Sequence, residues 1–333
     1  MDNTLRHFIQ AEKFSGNILI ARKGKVILQE SYGYADEGKK IPNTIETRFC
    51  VGDIQQSMTA LCIMKLVQEE KLRLTDHIDW FFNHLYSGRQ ITVHHLLTHT
   101  SGIRNHLSLR EFKDGKNHVI SEVIKKMAER PLEFSPGERF LYSNTGYALL
   151  GTIIEKVTGR NLQDYIRATI FTPLKMRDSF FVGETVENLA KPARPLYACQ
   201  PGLLYASGAL ISTVRDLYRY DQALYGDKLA ERRLIEEMLK PFYKGRFIEY
   251  GYGWFIKRLF GQRSVVAHNG FHPAGHSAHL ERYVDDRTTI IVVSNKLQRY
   301  SGLGCKNLNS TDLARELAAR IYGKKVRFWQ KWY

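Results

Sequence analysis

A mixed α/β fold is predicted for this chain, with an antiparallel sheet drawn from both ends of the sequence and helices in between. Three observations carry the prediction. Short apolar stretches bounded by turn residues occupy residues 17–30 and return over residues 251–294. Between these two regions the apolar residues recur at helical rather than alternating spacing. The chain has 333 residues, 43% hydrophobic and 25% charged, an ordinary globular composition long enough for two domains or one large one. Neither an internal repeat nor a low-complexity segment interrupts it.

In chain order, residues 17–22 and 25–30 read as two strands joined at Lys23-Gly24, where glycine supplies the turn. Helical patterns follow over residues 54–69, 119–128, 145–157 and 213–224, the third ending just before Gly159. The first of these is apolar around most of its circumference, through Ala60, Leu61, Cys62, Ile63, Met64, Leu66 and Val67, so it is expected to be buried. Strand patterns resume at residues 251–256, 264–267, 277–283 and 288–294, with a turn at Asp285-Asp286 before the last. A final helix over residues 311–322 sets Leu313, Leu317 and Ile321 on one face and ends at Gly323.

The formal net charge is +15, and a basic surface concentrates anions such as nucleic acids, anionic lipids or acidic substrates. The cations are spread along helices and turns without a nucleic-acid motif, so no specific nucleic-acid partner is expected. Only residues 323–333 gather cations with aromatic residues. That segment reads as a tail packed on the domain with its lysines in water, a membrane-interface role being the alternative. The N-terminal residues lack an uninterrupted apolar signal segment and no stretch is long enough to span a membrane, so the chain reads as cytoplasmic with no transmembrane segment. Cys50, Cys62, Cys199 and Cys305 lack disulfide-framework or metal-ligand spacing and read as reduced thiols.

Five motifs, in order, carry a family resemblance. Arg48-Phe-Cys-Val-Gly52-Asp53-Ile-Gln-Gln56-Ser-Met-Thr59-Ala60 resembles the active-site helix of the penicillin-recognising serine enzymes, with pattern Phe-x-x-Gly-Ser-x-x-Lys-x-x-Thr-Ala. Leu96-Leu97-Thr98-His99-Thr100-Ser101-Gly102 is similar to the family's Leu-Leu-x-His-x-Ser-Gly segment, and Tyr142-Ser143-Asn144 to its Tyr-x-Asn motif. The segment Ala206-Ser207-Gly208 through Asp216-Leu217 is similar to a further signature, and His268-Asn269-Gly270 stands where the family carries Lys-Thr-Gly or His-x-Gly. The resemblance is to the serine β-lactamase and penicillin-binding-protein-like family, which includes class C β-lactamases, D-alanyl-D-alanine carboxypeptidases and esterases. It implies an α/β sheet domain from residues 1–50 and 245–333, a mainly helical domain inserted at 51–244, and an active-site cleft at their junction. Domain junctions are the usual place for a ligand site.

On this alignment the serine falls on Asp53 and the lysine on Gln56, and no Ser-x-x-Lys or Gly-x-Ser-x-Gly occurs anywhere in the chain. Ser57 lies one helical turn past the expected nucleophile and is expected to point elsewhere. Conventional acyl-serine catalysis is therefore not expected. Asp53 then has two open explanations. Asp-x-x-Gln is close to a capping box, in which Asp53 and Gln56 would merely satisfy amides at the helix start. Alternatively, Asp53 is a carboxylate at the base of the cleft facing Tyr142, Asn144 and His268, an acid/base set. Gln56, Asn144, Gly270 and Phe271 would then contribute to substrate binding, the backbone amides of Asp53 and Phe271 matching the family's oxyanion donors. An Asp53 carboxylate beside those donors would repel or replace a developing oxyanion. A repurposed enzyme acting on a small amide-, ester- or peptide-derived molecule, a non-catalytic binder of a small-molecule ligand, and a residual hydrolase or esterase all remain open.

His268, His272, His276 and His279 raise the question of a metal. Their segment is broken by Gly270, Pro273 and Gly275, and no cysteine or acidic cluster completes a ligand set, so no metal site is expected. No glycine-rich phosphate loop or dinucleotide fingerprint occurs, so no cofactor is expected.

Overall fold

The structure, a computed structural model, describes residues 2–11, 14–83, 89–114, 116, 118–193, 201–259, 263–296 and 309–325. Of the predicted tail at 323–333, residues 326–333 lie outside the described residues, as do the cysteines Cys199 and Cys305. Cys50 and Cys62 are buried free thiols.

Strands β1 (Gly16–Arg22) and β2 (Lys25–Tyr32) form a hairpin at one edge of an eight-stranded sheet. The C-terminal half supplies β3 (Tyr243–Lys244), β4 (Glu249–Tyr250), β5 (Phe255–Leu259), β6 (Arg263–His272), β7 (His276–Tyr283) and β8 (Thr288–Ser294). The strand order is β2-β1-β8-β7-β6-β5-β4-β3, and each pairing is antiparallel. N-terminal β1 thus lies against C-terminal β8, with Leu19 opposite Ile291.

Because side chains alternate across a strand, β8 reports both faces. Ile290 and Val292 pack with Leu5 and Ile9 of helix α1 (Asp2–Ala11) and with the C-terminal helix, while Ile291 and Val293 join the core shared with the central helices. Burial on both sides explains why β8 reads as a continuous β-branched run. The central helices are α2 (Gln55–Gln68), α3 (Val93–Leu97), α4 (Ile120–Ala128), α5 (Asn144–Thr158) and α6 (Val214–Ala223); α7 (Ser310–Ile321) closes the chain's described part. Leu61, Ile63 and Leu66 of α2 are fully buried, as its all-round apolar pattern predicts, each contributing about 1.5–3 kcal/mol. Ser143 caps α5 and Gly159 ends it in the left-handed conformation.

Two differences from the sequence expectations have physical causes. Helix α1 has no counterpart among the predicted elements, because its buried stripe rests on Leu5 and Ile9 within ten largely polar residues. The strand expected over residues 251–256 begins only at Phe255. Gly253 has φ of +77°, and a Cβ there would stand 2.8 Å from the Ser57 Cα, so this segment is a bend pressed onto α2.

Neighbouring residues of β7 tie the sheet to both helical layers. The buried Arg282 Nε lies 2.9 Å from Asp221 Oδ1 of α6, and Glu281 Oε2, on the opposite face, lies 2.9 Å from an Arg315 nitrogen of α7. Burial opposes ionisation of Glu281, but Arg315, His279 and Tyr283 outweigh it and hold the carboxyl down to about 2. Among the described residues no helix is long and apolar enough to cross a membrane.

Candidate functional site

Two glycines bring β6 against the start of α2. Gly52 has φ of +54°, and a Cβ on it would meet the Phe271 carbonyl oxygen at 2.9 Å and nitrogen at 3.0 Å. A Cβ on Gly270 would stand 1.9 Å from the Val51 carbonyl oxygen and 3.2 Å from the Asp53 nitrogen. Only with both side chains absent can the strand and the short 3-10 turn Gly52–Ile54 approach this closely. The approach sets the Phe271 amide beside Asp53.

The Phe271 N–H donates to Asp53 Oδ2 at 3.3 Å. The Tyr142 hydroxyl and Asp53's own N–H also bond this carboxyl. Asp53 is half-buried, and Tyr142 and the exposed Phe271 share its rim. Burial pushes the carboxyl up to about 7, against the lowering pull of the Phe271 N–H, the Tyr142 hydroxyl and its own amide. Burial first, then the nearby Asp53 charge, lifts the Tyr142 phenol well above its usual range, so it stays a donor.

The capping-box expectation is corrected. Helix α2 starts at Gln55 with Ile54 as its N-cap and no side-chain cap, and Asp53 sits inside the preceding 3-10 turn. The carboxyl turns outward to the strand because β6 offers a better-placed donor than the helix does. Ser57, as expected, points away, its buried hydroxyl donating to the Ile54 carbonyl at 2.8 Å.

Gln56 belongs to a second layer. Its Nε2 donates to Asn144 Oδ1 at 2.8 Å and its Oε1 faces His99 Nε2 at 3.2 Å. His99 Nδ1 accepts the Ser143 N–H at 3.1 Å, which leaves the proton on Nε2 to donate to Gln56. Gln56 also bonds the Tyr142 hydroxyl. Burial, and then His268, keep the His99 imidazole neutral, well below the usual histidine range. The result is a chain of neutral hydrogen bonds linking α2, α5 and the loop after α3.

His99 is the residue that sequence reasoning missed, since its motif is matched to the family without a role for the histidine. Its φ of +56° is rare for a non-glycine residue and aims the ring inward, 4.4 Å from the Tyr142 ring centroid. The only sequence signal was its place in Leu96-Leu97-Thr98-His99.

His268 departs from the expectation of facing Asp53. Its Nδ1 donates to the Asn269 carbonyl at 2.6 Å, and Nε2 lies 3.3 Å from the Tyr250 hydroxyl. Among the described residues no hydrogen bond joins it to Asp53. Its burial pulls it down to about 4, which makes it a neutral wall of the site. His272 Nδ1 accepts the Ala274 N–H at 3.1 Å and His276 Nδ1 accepts the Cys50 N–H at 2.9 Å, so both hold their protons on Nε2, the wrong tautomer for a metal ligand there.

The sequence matches the family model described as Beta-lactamase over residues 1–304. The chain belongs to the β-lactamase family. It is 30% identical over 315 residues to Penicillin-binding protein 4* of Bacillus subtilis, covering 86% of this chain and 69% of that protein. Among solved structures it resembles the octameric penicillin-binding protein homologue from Pyrococcus abyssi, at TM-score 0.84 and 31% identity, over 97% of this chain and 78% of that one. It also resembles the D-amino acid amidase from Ochrobactrum anthropi solved with L-phenylalanine amide, at TM-score 0.75 and 26% identity, over 88% of this chain and 91% of that one. The predicted family and the mixed α/β fold with its antiparallel sheet are thus established.

Proposed function

We propose that this β-lactamase-fold protein carries out acid–base chemistry on a small amide-, ester- or peptide-derived substrate, with Asp53 as its proton-transfer group. The observation that carries the proposal is the Asp53 carboxyl, open to solvent on one side and bonded by the Tyr142 hydroxyl and the Phe271 N–H. A carboxyl pushed up to about 7 can both accept and return a proton at neutral pH. As the carboxylate it takes a proton from water; the water oxygen bonds to the carbonyl carbon; the carboxylic acid then gives the proton to the departing nitrogen or oxygen as that bond breaks. Tyr142 stabilises the carboxylate, Gln56 and Asn144 hold Tyr142 in place, and Gly270 keeps the Phe271 amide in reach of a substrate oxygen. His268 is reassigned from proton transfer to lining. The absence of Ser-x-x-Lys argues against acyl-serine chemistry, and the amidase among the similar structures supports an amide as substrate.

A second reading, a non-catalytic binder, is favoured by one observation: the carboxyl itself occupies the Phe271 amide that a reacting carbonyl oxygen would need. Asp53→Asn separates the two. Proton transfer predicts turnover down by about 10² or more with folding intact; a binder has no turnover to lose. Tyr142→Phe should reduce turnover in parallel. Turnover at the parental level in Asp53→Asn removes Asp53 from the mechanism.

A further inference from the structure

Among the described residues the fully buried acids each have a cation: Asp216 has Arg219, Asp221 has Arg282, and Glu281 has Arg315. Asp53 has none among the described residues, although the chain carries a net charge of +15. Its partners are an amide of β6, its own amide and the phenol of Tyr142. Of the titratable groups, Tyr142 before α5 and Tyr250 on β4 interact with Asp53 itself, and His99 after α3, Tyr147 on α5 and His268 on β6 pack in the ring cluster behind Tyr142. Burial keeps both imidazoles neutral, and all three phenols stay protonated. The site therefore holds an anion-forming group at an open rim, surrounded only by neutral donors and aromatic faces. Such a setting attracts a cation through the carboxylate and through the negative faces of the rings.

We infer that the counter-ion of Asp53 is supplied by the ligand: the cleft binds a primary ammonium group, held by the Asp53 carboxylate and covered by the Tyr142 ring. The inference deepens the proposed function and rests on Asp53 being the group that meets the ligand. In amide hydrolysis it names the departing amine: Asp53 gives the nitrogen one proton as the C–N bond breaks, the newly formed carboxylic acid gives it the second, and the resulting ammonium pairs with the Asp53 carboxylate. An acyl group carrying the only charge, as a carboxylate, is excluded from the same place by repulsion.

Equilibrium binding of three probes on one phenethyl frame tests this without turnover: phenethylamine, its neutral analogue 2-phenylethanol, and 3-phenylpropionate, whose carboxylate stands where the ammonium does. Phenethylamine should bind tightest and 3-phenylpropionate weakest. Since the ammonium pairs only with the ionised carboxyl, phenethylamine affinity should rise about tenfold from pH 6 to pH 8. Its binding at pH 6 should release protons, seen calorimetrically as a dependence on buffer ionisation heat. Asp53→Asn should lose about tenfold in affinity at pH 8 and bind with no pH dependence, whereas Lys25→Ala, an exposed residue of β2, should change nothing. Absence of phenethylamine binding, tighter binding of 3-phenylpropionate, or undiminished amine binding by Asp53→Asn overturns the inference. If turnover falls in Asp53→Asn while the amine preference is absent, the inference fails and the acid–base proposal stands; if neither turnover nor binding responds, both fail.

Discussion

Asp53 Oδ2 lies 3.3 Å from the Phe271 nitrogen and accepts its hydrogen, so a side chain sits on the amide that the proposed function assigns to a substrate oxygen. One donor serves two masters in turn. For a substrate oxygen to reach the Phe271 amide, the carboxyl must rotate off it, and the protonated acid, which accepts hydrogen bonds less strongly than the carboxylate, rotates more readily. The proposed function therefore expects protonation of Asp53 and opening of the amide to be coupled.

That coupling has a stability signature. An unfolded aspartate titrates near about 3.9, and the folded Asp53 near about 7. A carboxyl raised in this way contributes its stability fully below the unfolded value and loses it as the pH rises through 7. Asp53→Asn should therefore be more stable than the parent at pH 8, by about 1–3 kcal/mol after allowance for the open rim, and gain little at pH 4. Paired thermal melts across this range read the difference; a constant offset would show that Asp53 does not titrate there.

Gln56→Lys places an ammonium beside Tyr142 and Asn144 and removes the acceptor for the His99 N–H. The nearby cation should lower the Asp53 titration by about 1–3 pH units. The orphaned imidazole proton should cost about 1–3 kcal/mol. Histidine and carboxyl titrations by NMR, together with urea denaturation, measure the two effects separately.

Incubation with penicillins or acyl phosphonates should leave the intact mass of the protein unchanged, since the helix from Gln55 offers only Ser57, Thr59 and Cys62, all buried, with the Ser57 and Thr59 hydroxyls donating to the Ile54 and Ala206 carbonyls. Asp53→Ser combined with Gln56→Lys should instead give a detectable acyl-enzyme with an activated ester, because Tyr142, Asn144 and the Phe271 amide are already in place. A folded double variant with no adduct would mean that these groups do not converge as described.

Gly270→Ala tests the close approach itself. The new Cβ would stand 1.9 Å from the Val51 carbonyl oxygen, a backbone atom that cannot swing aside. A destabilisation of about 1–3 kcal/mol or more is expected, with the Asp53 titration moving as the Phe271 amide is pushed away. An unchanged melting temperature would refute the packing.

Much of the fold was legible in the sequence where a single local signal decided it. Residues 288–294 formed β8 as expected because β-branched residues follow an acidic turn, and α5 ran from its Ser143 cap to Gly159 because both ends carry terminators. The site was legible only in part. Asp53 and Gln56 stood out by type, but the partners that define them, Phe271, Asn144 and His99, are brought in from distant elements. A capping pattern is local and therefore readable; it lost here to a strand that the sequence places more than two hundred residues away. His268 failed for a related reason: its ring is held by the adjoining Asn269 carbonyl at 2.6 Å and by the Tyr250 hydroxyl, two strands away in the sheet, and not by Asp53.

The pairing of β1 with β8 also governs how the protein can be born. Ala21 leaves the ribosome early, yet its partner Thr289 emerges only after nearly the whole described chain has been made. Until then the β1–β2 hairpin presents an open edge of backbone donors and acceptors, and so long a wait makes folding slow and neighbours on a polysome hazardous. A message cut short before Thr288 would yield a chain whose first hairpin has nowhere to dock, a substrate for chaperones and proteases rather than a smaller working protein.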